Sequence, residues 1–266
     1  MNGEDSNRQI LCNIARSSFE VVNRLLERDR LLARELRSDA TSSRQVYREE
    51  CITVEMAATL RERFPEHVEI TLFTAREEKP TGADWYWRFE RGDRAIHALV
   101  QAKRVQRTQF GQQDDAGHVD IDLDQLTQLV KRPTSASEDL PNLEAWLATF
   151  ARFDANPPCD EHDLGKCPRH KHAGGCTDHG PSLWIAQASE ILSLAAKRLP
   201  IQKIVEQSVR LDCILPCIDG PSTENGPARK KFALSVGLLP YQDCLDLILG
   251  NAALGAAFQG AMRIAV

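Results

Sequence analysis

Residues 84–103, DWYWRFERGDRAIHALVQAK, constrain the fold more than any other stretch of the chain. Large apolar side chains alternate with polar ones on both sides of Arg91-Gly92-Asp93, the pattern of a β-hairpin with a short turn. A two-residue loop at Gly92-Asp93 sets Arg91 opposite Arg94, Trp85 opposite Val100 and Asp84 opposite Gln101. Directly opposed residues project to one face, and Lys103, two positions on, joins Asp84 and Gln101 there. The other face collects Trp85, Trp87, Phe89, Ile96, Ala98, Val100 and Ala102, an apolar set suited to a core. A one-residue slip scatters both sets, so the register is strongly specified.

The polar end of this hairpin has a chemistry. Asp84 offers carboxylate oxygens, Gln101 an amide oxygen and Ala102 a backbone carbonyl, all hard donors suited to Mg²⁺ or Mn²⁺. Lys103 can hydrogen-bond an attacking water or stabilise charge that grows on a phosphoryl group. One carboxylate alone holds Mg²⁺ weakly, so a further acid is expected. The candidates are Glu49, Glu50 and Glu55 on the preceding helical segment and Glu77 and Glu78 in the segment before Asp84.

Around the hairpin the apolar spacing predicts an α/β order. FEVVNRLLERDRLLARELR carries a helical stripe at Phe19, Val22, Leu25, Leu26, Leu32 and Leu36, suited to packing on the main domain or on a second copy or partner. A second helix is predicted through EECITVEMAATLRERF, with Ile52, Met56, Leu60 and Phe64 at helical spacing and Pro65 behind it. HVEITLFTA reads as a strand, REEKPTG as a loop, the segment from about Leu123 as a helix and 145–153 as a strand. SLWIAQASEILSLAAKRLP reads as helical, LDCILPCID as a late strand, and the C-terminal LILGNAALGAAFQGAMRIAV as a buried helix. The division expected is a helical extension over 1–45, an α/β core over 46–153, a Cys/His-rich insert over 154–182 and a C-terminal helical completion over 183–266.

Composition narrows the function classes. A net charge of −5, from 33 basic and 38 acidic residues, argues against holding nucleic acid by general electrostatics, although it leaves room for a local basic groove. Lys103, Arg104, Arg107, Lys131 and Arg132 are candidate phosphate contacts. The first twenty residues lack the basic flank and apolar run of a secretory signal. The C-terminal apolar run is broken by Asn251, Gln259 and Arg263, so no membrane span is expected. Eight cysteines without a compact secreted framework favour a reducing cytoplasm.

An aspartate, a hairpin and a Gln-x-Lys behind a helix that carries glutamate resemble the PD-(D/E)XK, or restriction-endonuclease-like, superfamily. The resemblance implies an αβββαβ core, matching the order read over 46–153. YREECITVEMAATLRERFP, FTAREEKPTGADWYWRF and VQAKR are also similar to an uncharacterised bacterial family with EE-x-x-TGADWEWWF and VQAKR motifs. Ala83 stands where a proline precedes the aspartate in the superfamily pattern. The resemblance implies a metal-dependent nuclease acting on DNA or RNA, with bacterial defence as one setting. Asp84 and Gln101 would hold Mg²⁺ or Mn²⁺ with Glu50, or with Glu49 or Glu55 in its place, and Lys103 would activate water or stabilise charge.

The insert supplies a separate signal. Cys159 to His179 holds three of the eight cysteines and four of the seven histidines. Cys167, His170, Cys176 and His179 form a candidate structural Zn²⁺ set, with Cys159 and Cys217 as substitutes; the spacing is not that of a standard finger. Two further functions are compatible with the sequence: a nuclease-fold interaction module without chemistry, and a zinc-dependent hydrolase built on the insert.

Overall fold

The computed structural model describes residues 3–35, 47–91, 94–105, 117–135, 143–152, 181–211, 235–236 and 241–249. At its centre is the hairpin of β2 (Trp85–Arg91) and β3 (Arg94–Arg104), in the register expected from the alternation, Trp85 opposite Val100 through Arg91 opposite Arg94. β1 (Val68–Leu72) pairs antiparallel with β2, and β5 (Leu143–Arg152) pairs parallel with β3. A parallel neighbour needs a crossover. Here it contains β4 (His118–Asp120) and α4 (Leu123–Ser135).

Beyond β5 the sheet continues through β6 (Pro181–Gln187) and β8 (Ser208–Arg210), both antiparallel to their neighbours, while β9 (Ser235–Val236) pairs with the start of β3. β4 forms a separate two-stranded ribbon with β7 (Arg198–Pro200). The protein is therefore an α/β structure around a mixed sheet.

Each face of the sheet has its own core. Trp85, Trp87, Phe89, Ala98, Val100 and Ala102 pack with Trp146, Ala148 and Phe150 under α1 (Gly3–Glu35) and α2 (Glu49–Arg63). Ile52, Met56 and Leu60 are the buried stripe of α2, and Ile14, Val21, Val22 and Leu25 that of α1. The apolar stripe of α1 thus lies against α2 and the sheet of its own chain. On the opposite face Tyr86, Leu99, Leu147 and Trp184 pack beneath α4, α5 (Ala188–Ser193), α6 (Ile201–Glu206) and α7 (Tyr241–Leu249). Among the described residues no helix is long and apolar enough to cross a membrane.

Two segments differ from the sequence reading. REEKPTG is not a loop: Ala75–Thr81 form α3, started by a capping box in which Glu77 accepts the Thr74 N–H at 2.6 Å and its hydroxyl at 2.9 Å. SLWIAQASEILSLAAKRLP is not one helix but β6, α5 and β7 in succession, so the C-terminal region is not purely helical. Leu183, Trp184, Ile185 and Ala186 are all buried because β6 is covered on both faces. A doubly covered strand shows an unbroken apolar run that is easily taken for a helix. Apart from Leu211, the late strand expected at LDCILPCID lies outside the described residues, as does the C-terminal apolar run after Leu249.

Gly82 ends α3 with φ +70°, the left-handed conformation that an L side chain strains to adopt. An added Cβ would stand 2.2 Å from the Gln125 carbonyl oxygen and 2.5 Å from the Leu129 nitrogen, both backbone atoms of α4. Gly82→Ala is expected to lower unfolding stability by about 2–4 kcal/mol in urea titration, combining the left-handed penalty with forced separation of α3 and α4. An unchanged midpoint would show that this contact does not hold the turn.

Candidate functional site

The residues Thr81-Gly82-Ala83-Asp84 form a turn that delivers an aspartate to the end of β2. The Thr81 hydroxyl donates to the Glu77 carbonyl at 2.7 Å and accepts the Ala83 N–H at 3.2 Å, while Ala83 is fully buried. Asp84 is then fixed through its backbone: its N–H donates to the Val100 carbonyl and its carbonyl accepts the Phe73 N–H, both at 2.8 Å. The β2–β3 ladder stops at Trp85–Val100, so Asp84 is not paired opposite Gln101 as the extrapolated register requires. Both Asp84 and Trp85 converge on Val100, because the chain arrives from α3 through the left-handed Gly82.

This early end of β2 leaves β3 projecting beyond its hairpin partner, still paired with β5 as far as Arg104. Carboxylates take the exposed N–H groups along that edge. The Ala102 N–H donates to Asp84 Oδ2 at 2.5 Å and the Arg104 N–H donates to Glu49 Oε2 at 3.0 Å. In an extended strand the N–H and C=O of one residue face the same neighbour, so the Ala102 carbonyl is directed toward the Asp84 edge. Two carboxylates and a peptide oxygen are thereby held along two residues of one strand edge, roughly 7 Å of chain.

Lys103 and Gln101 share the β3 face that also carries Leu99. Lys103 Nζ lies 3.8 Å from Glu49 Oε1, with only 15% of its side chain exposed. Gln101 is fully buried, and neither its Oε1 nor its Nε2 has a hydrogen-bond partner among the described residues. Burying an amide without partners is costly, on the order of 1–3 kcal/mol for each unsatisfied group. Such an amide suits a site that receives a ligand.

The electrostatics are those of crowded carboxylates around one ammonium. Burial pushes the Asp84 carboxyl up to about 6, against Lys103 and the Ala102 N–H, and the Glu78 and Glu50 charges add to the rise. Burial also raises Glu49 and Glu78, with Lys103 opposing in both cases; Asp84 and Glu50 add to the rise at Glu49, and Glu50 and Glu77 at Glu78. Each acid feels its neighbours, yet among the described residues no three His, Cys, Asp or Glu side chains group tightly enough to hold a metal by themselves. A cation here would need the neutral oxygens of Gln101 and Ala102 as well.

The other candidates are sorted by position. Glu50 sits in the first turn of α2, exposed and facing the field of Asp84, whereas Glu55 pairs at 3.0 Å with Arg24 on α1. Glu77 is occupied in the capping box and Glu78 lies beside Lys103 and Glu50. Arg104 is no free phosphate contact: its guanidinium pairs with Asp29 Oδ2 at 2.5 Å and also donates to the Tyr47 carbonyl. Arg132 donates through Nε to the Ile248 carbonyl at 2.5 Å, closing the C-terminal end of α7, and Lys131 is exposed. Trp85 and Trp87 are core residues. Arg107 and the proposed zinc set of Cys167, His170, Cys176 and His179, with Cys159 and Cys217, lie outside the described residues.

The model of a family of unknown function, DUF6615, matches residues 13–244. The chain belongs to this family. The match takes in α1 from Asn13 onward, the whole run from α2 to β9 and all of the residues around Asp84, so this edge lies inside the family's shared unit. No curated protein matches the chain.

The raised Asp84 value sets the sign of a stability effect. A carboxyl whose folded pKa lies above its unfolded one contributes stability that is present below about 4 and lost as pH rises through about 6. Asp84→Asn, measured without divalent cations, is expected to be more stable than the wild type at pH 8 by roughly 1–2 kcal/mol, with the difference closing toward pH 4. A variant less stable than the wild type at pH 8 would contradict the burial of this charge.

Proposed function

We propose that the protein is a divalent-metal-dependent nuclease of the PD-(D/E)XK type, hydrolysing phosphodiester bonds of DNA or RNA. The observation that carries the reading is the overhanging edge of β3, where the Ala102 N–H holds the Asp84 carboxylate between the buried amide of Gln101 and Lys103, its two sequence neighbours. The element order α2, β1, β2, β3, α4, β5, with β5 parallel to β3, supports it as the αβββαβ order of that superfamily; α3 and β4 are additions between those elements.

The donors present fit Mg²⁺ or Mn²⁺. Asp84 and Ala102 offer oxygens at one edge, Gln101 an amide oxygen with no other partner among the described residues, and Glu50 a carboxylate from the first turn of α2. When bound, such a cation supplies Lewis-acid polarisation of a phosphoryl oxygen and acidifies a coordinated water. The chain's own contribution is positioning. Glu49 holds Lys103 from one side and is itself held by the Arg104 N–H, so the ammonium stays at the site instead of extending into solvent. From there Lys103 orients the attacking water and neutralises charge building on the phosphoryl group. Asp84 acts as an anion, so protonation of its carboxyl, which burial pushes up to about 6 in the metal-free protein, opposes cation binding.

A second reading is an interaction module that keeps this fold without chemistry. The loose spacing of the acids favours it, since they do not form a metal-holding group of three on their own among the described residues.

Labelled single- and double-stranded DNA and RNA, incubated with the full chain and Mg²⁺ or Mn²⁺, separate the two. Wild type is expected to cleave at least one substrate, with Asp84→Ala and Lys103→Ala each reducing the rate by at least about a hundredfold. Cleavage by no substrate–metal combination would overturn the nuclease reading, and cleavage by both variants at the wild-type rate would overturn the assignment of this site.

A further inference from the structure

We propose that Thr149 is a positioning residue that orients the Gln101 amide, so that its oxygen and not its NH₂ faces the cation; this rests on the nuclease reading above. Gln101 and Thr149 are both fully buried, and the Gln101 Oε1 and Nε2 and the Thr149 Oγ1 have no hydrogen-bond partner among the described residues. They occupy adjoining parallel strands, with Gln101 level with Leu147 and Lys103 level with Thr149. Leu99 and Leu147 pack in one core on the same side of the sheet, and the alternation along β3 and β5 turns Gln101 and Thr149 to that side as well. Thr149 is therefore the diagonal neighbour of Gln101, beside the base of Lys103.

The choice of glutamine at position 101 makes orientation matter. A carboxylate presents two equivalent oxygens, whereas an amide presents an attractive oxygen at one end and a repelling NH₂ at the other. If Oε1 turns toward the Asp84 edge, the two Nε2 protons need acceptors on the far side. The Thr149 hydroxyl, which is not bonded to Gln101 directly, accepts one through a single bridging water, across the distance between diagonal neighbours on adjacent strands. The two sets of unpartnered buried atoms thereby account for each other. A threonine inside an otherwise apolar layer of Leu147, Ala151 and Trp184 gains a purpose it lacks as a packing residue.

The test is Mn²⁺ binding to the full chain, followed by calorimetry and by the electron paramagnetic resonance of free Mn²⁺. Thr149→Val removes the hydroxyl and keeps the shape, and is expected to weaken Mn²⁺ binding about tenfold, while Thr149→Ser stays near wild type. In a Gln101→Glu background Thr149→Val should no longer weaken binding, because a carboxylate needs no orienting. Wild-type binding with Thr149→Val unchanged, or an equal loss in both backgrounds, overturns the role of Thr149 and leaves the nuclease reading standing. A wild type that binds no Mn²⁺ overturns both. Should Gln101→Glu fail to fold, the contrast between Thr149→Val and Thr149→Ser decides alone: equal weakening by both contradicts the hydroxyl's role.

Discussion

The hydrogen bond from the Ala102 N–H to the Asp84 carboxylate lies where one strand stops and its neighbour runs on. Much of the local arrangement follows from that mismatch. A strand edge without a partner exposes N–H and C=O groups that must be satisfied by something else. Here Asp84 satisfies one position, and Glu49, two residues further along, the next. The same two bonds that complete the backbone of β3 thus carry two acids to one edge, and Lys103 between them meets Glu49 at 3.8 Å. The site is a by-product of how the sheet is terminated.

Crowding acids in a partly buried place is unfavourable unless other contacts hold them there. The second fixture is Arg104, which ties Asp29 of α1 and the Tyr47 carbonyl to the end of β3, while Asp29 also accepts the Tyr47 N–H at 2.8 Å. Arg104 and Asp29 are both only 9% exposed in their side chains, so neither can be removed singly without leaving a charge poorly compensated. This network sits immediately before the first turn of α2 and sets where Glu49 and Glu50 begin. α1 is therefore coupled to the site through charge as well as through its apolar stripe against α2. Burial, with the Glu78 and Glu50 charges adding to it, raises the Asp84 carboxyl against the pull of Lys103 and the Ala102 N–H.

The parts of this arrangement that obey a short period were legible in the sequence. Alternation across residues 85–100 yields the hairpin register, and Ile52, Met56 and Leu60 yield the buried face of α2. Asp84 escaped the same extrapolation because its place is decided by α3 and Gly82, not by the ladder. The signal for α3 was present as Thr74-x-x-Glu77, a capping box, but Pro80 and Gly82 suggested a loop. Other features have no local signal at all. That Arg104 would meet Asp29, 75 positions away, or that Thr149 would lie beside Gln101 through a parallel crossover, depends on the assembled sheet. β6 lost its period because both of its faces are buried.

The most direct measurement of the central claim is anomalous diffraction from crystals of the full chain soaked in Mn²⁺. The account predicts one peak at the overhanging edge of β3, at roughly 2.2 Å from an Asp84 carboxylate oxygen, the Gln101 Oε1 and the Ala102 carbonyl oxygen. A peak only at other acids, or none at this edge at saturating Mn²⁺, would contradict it.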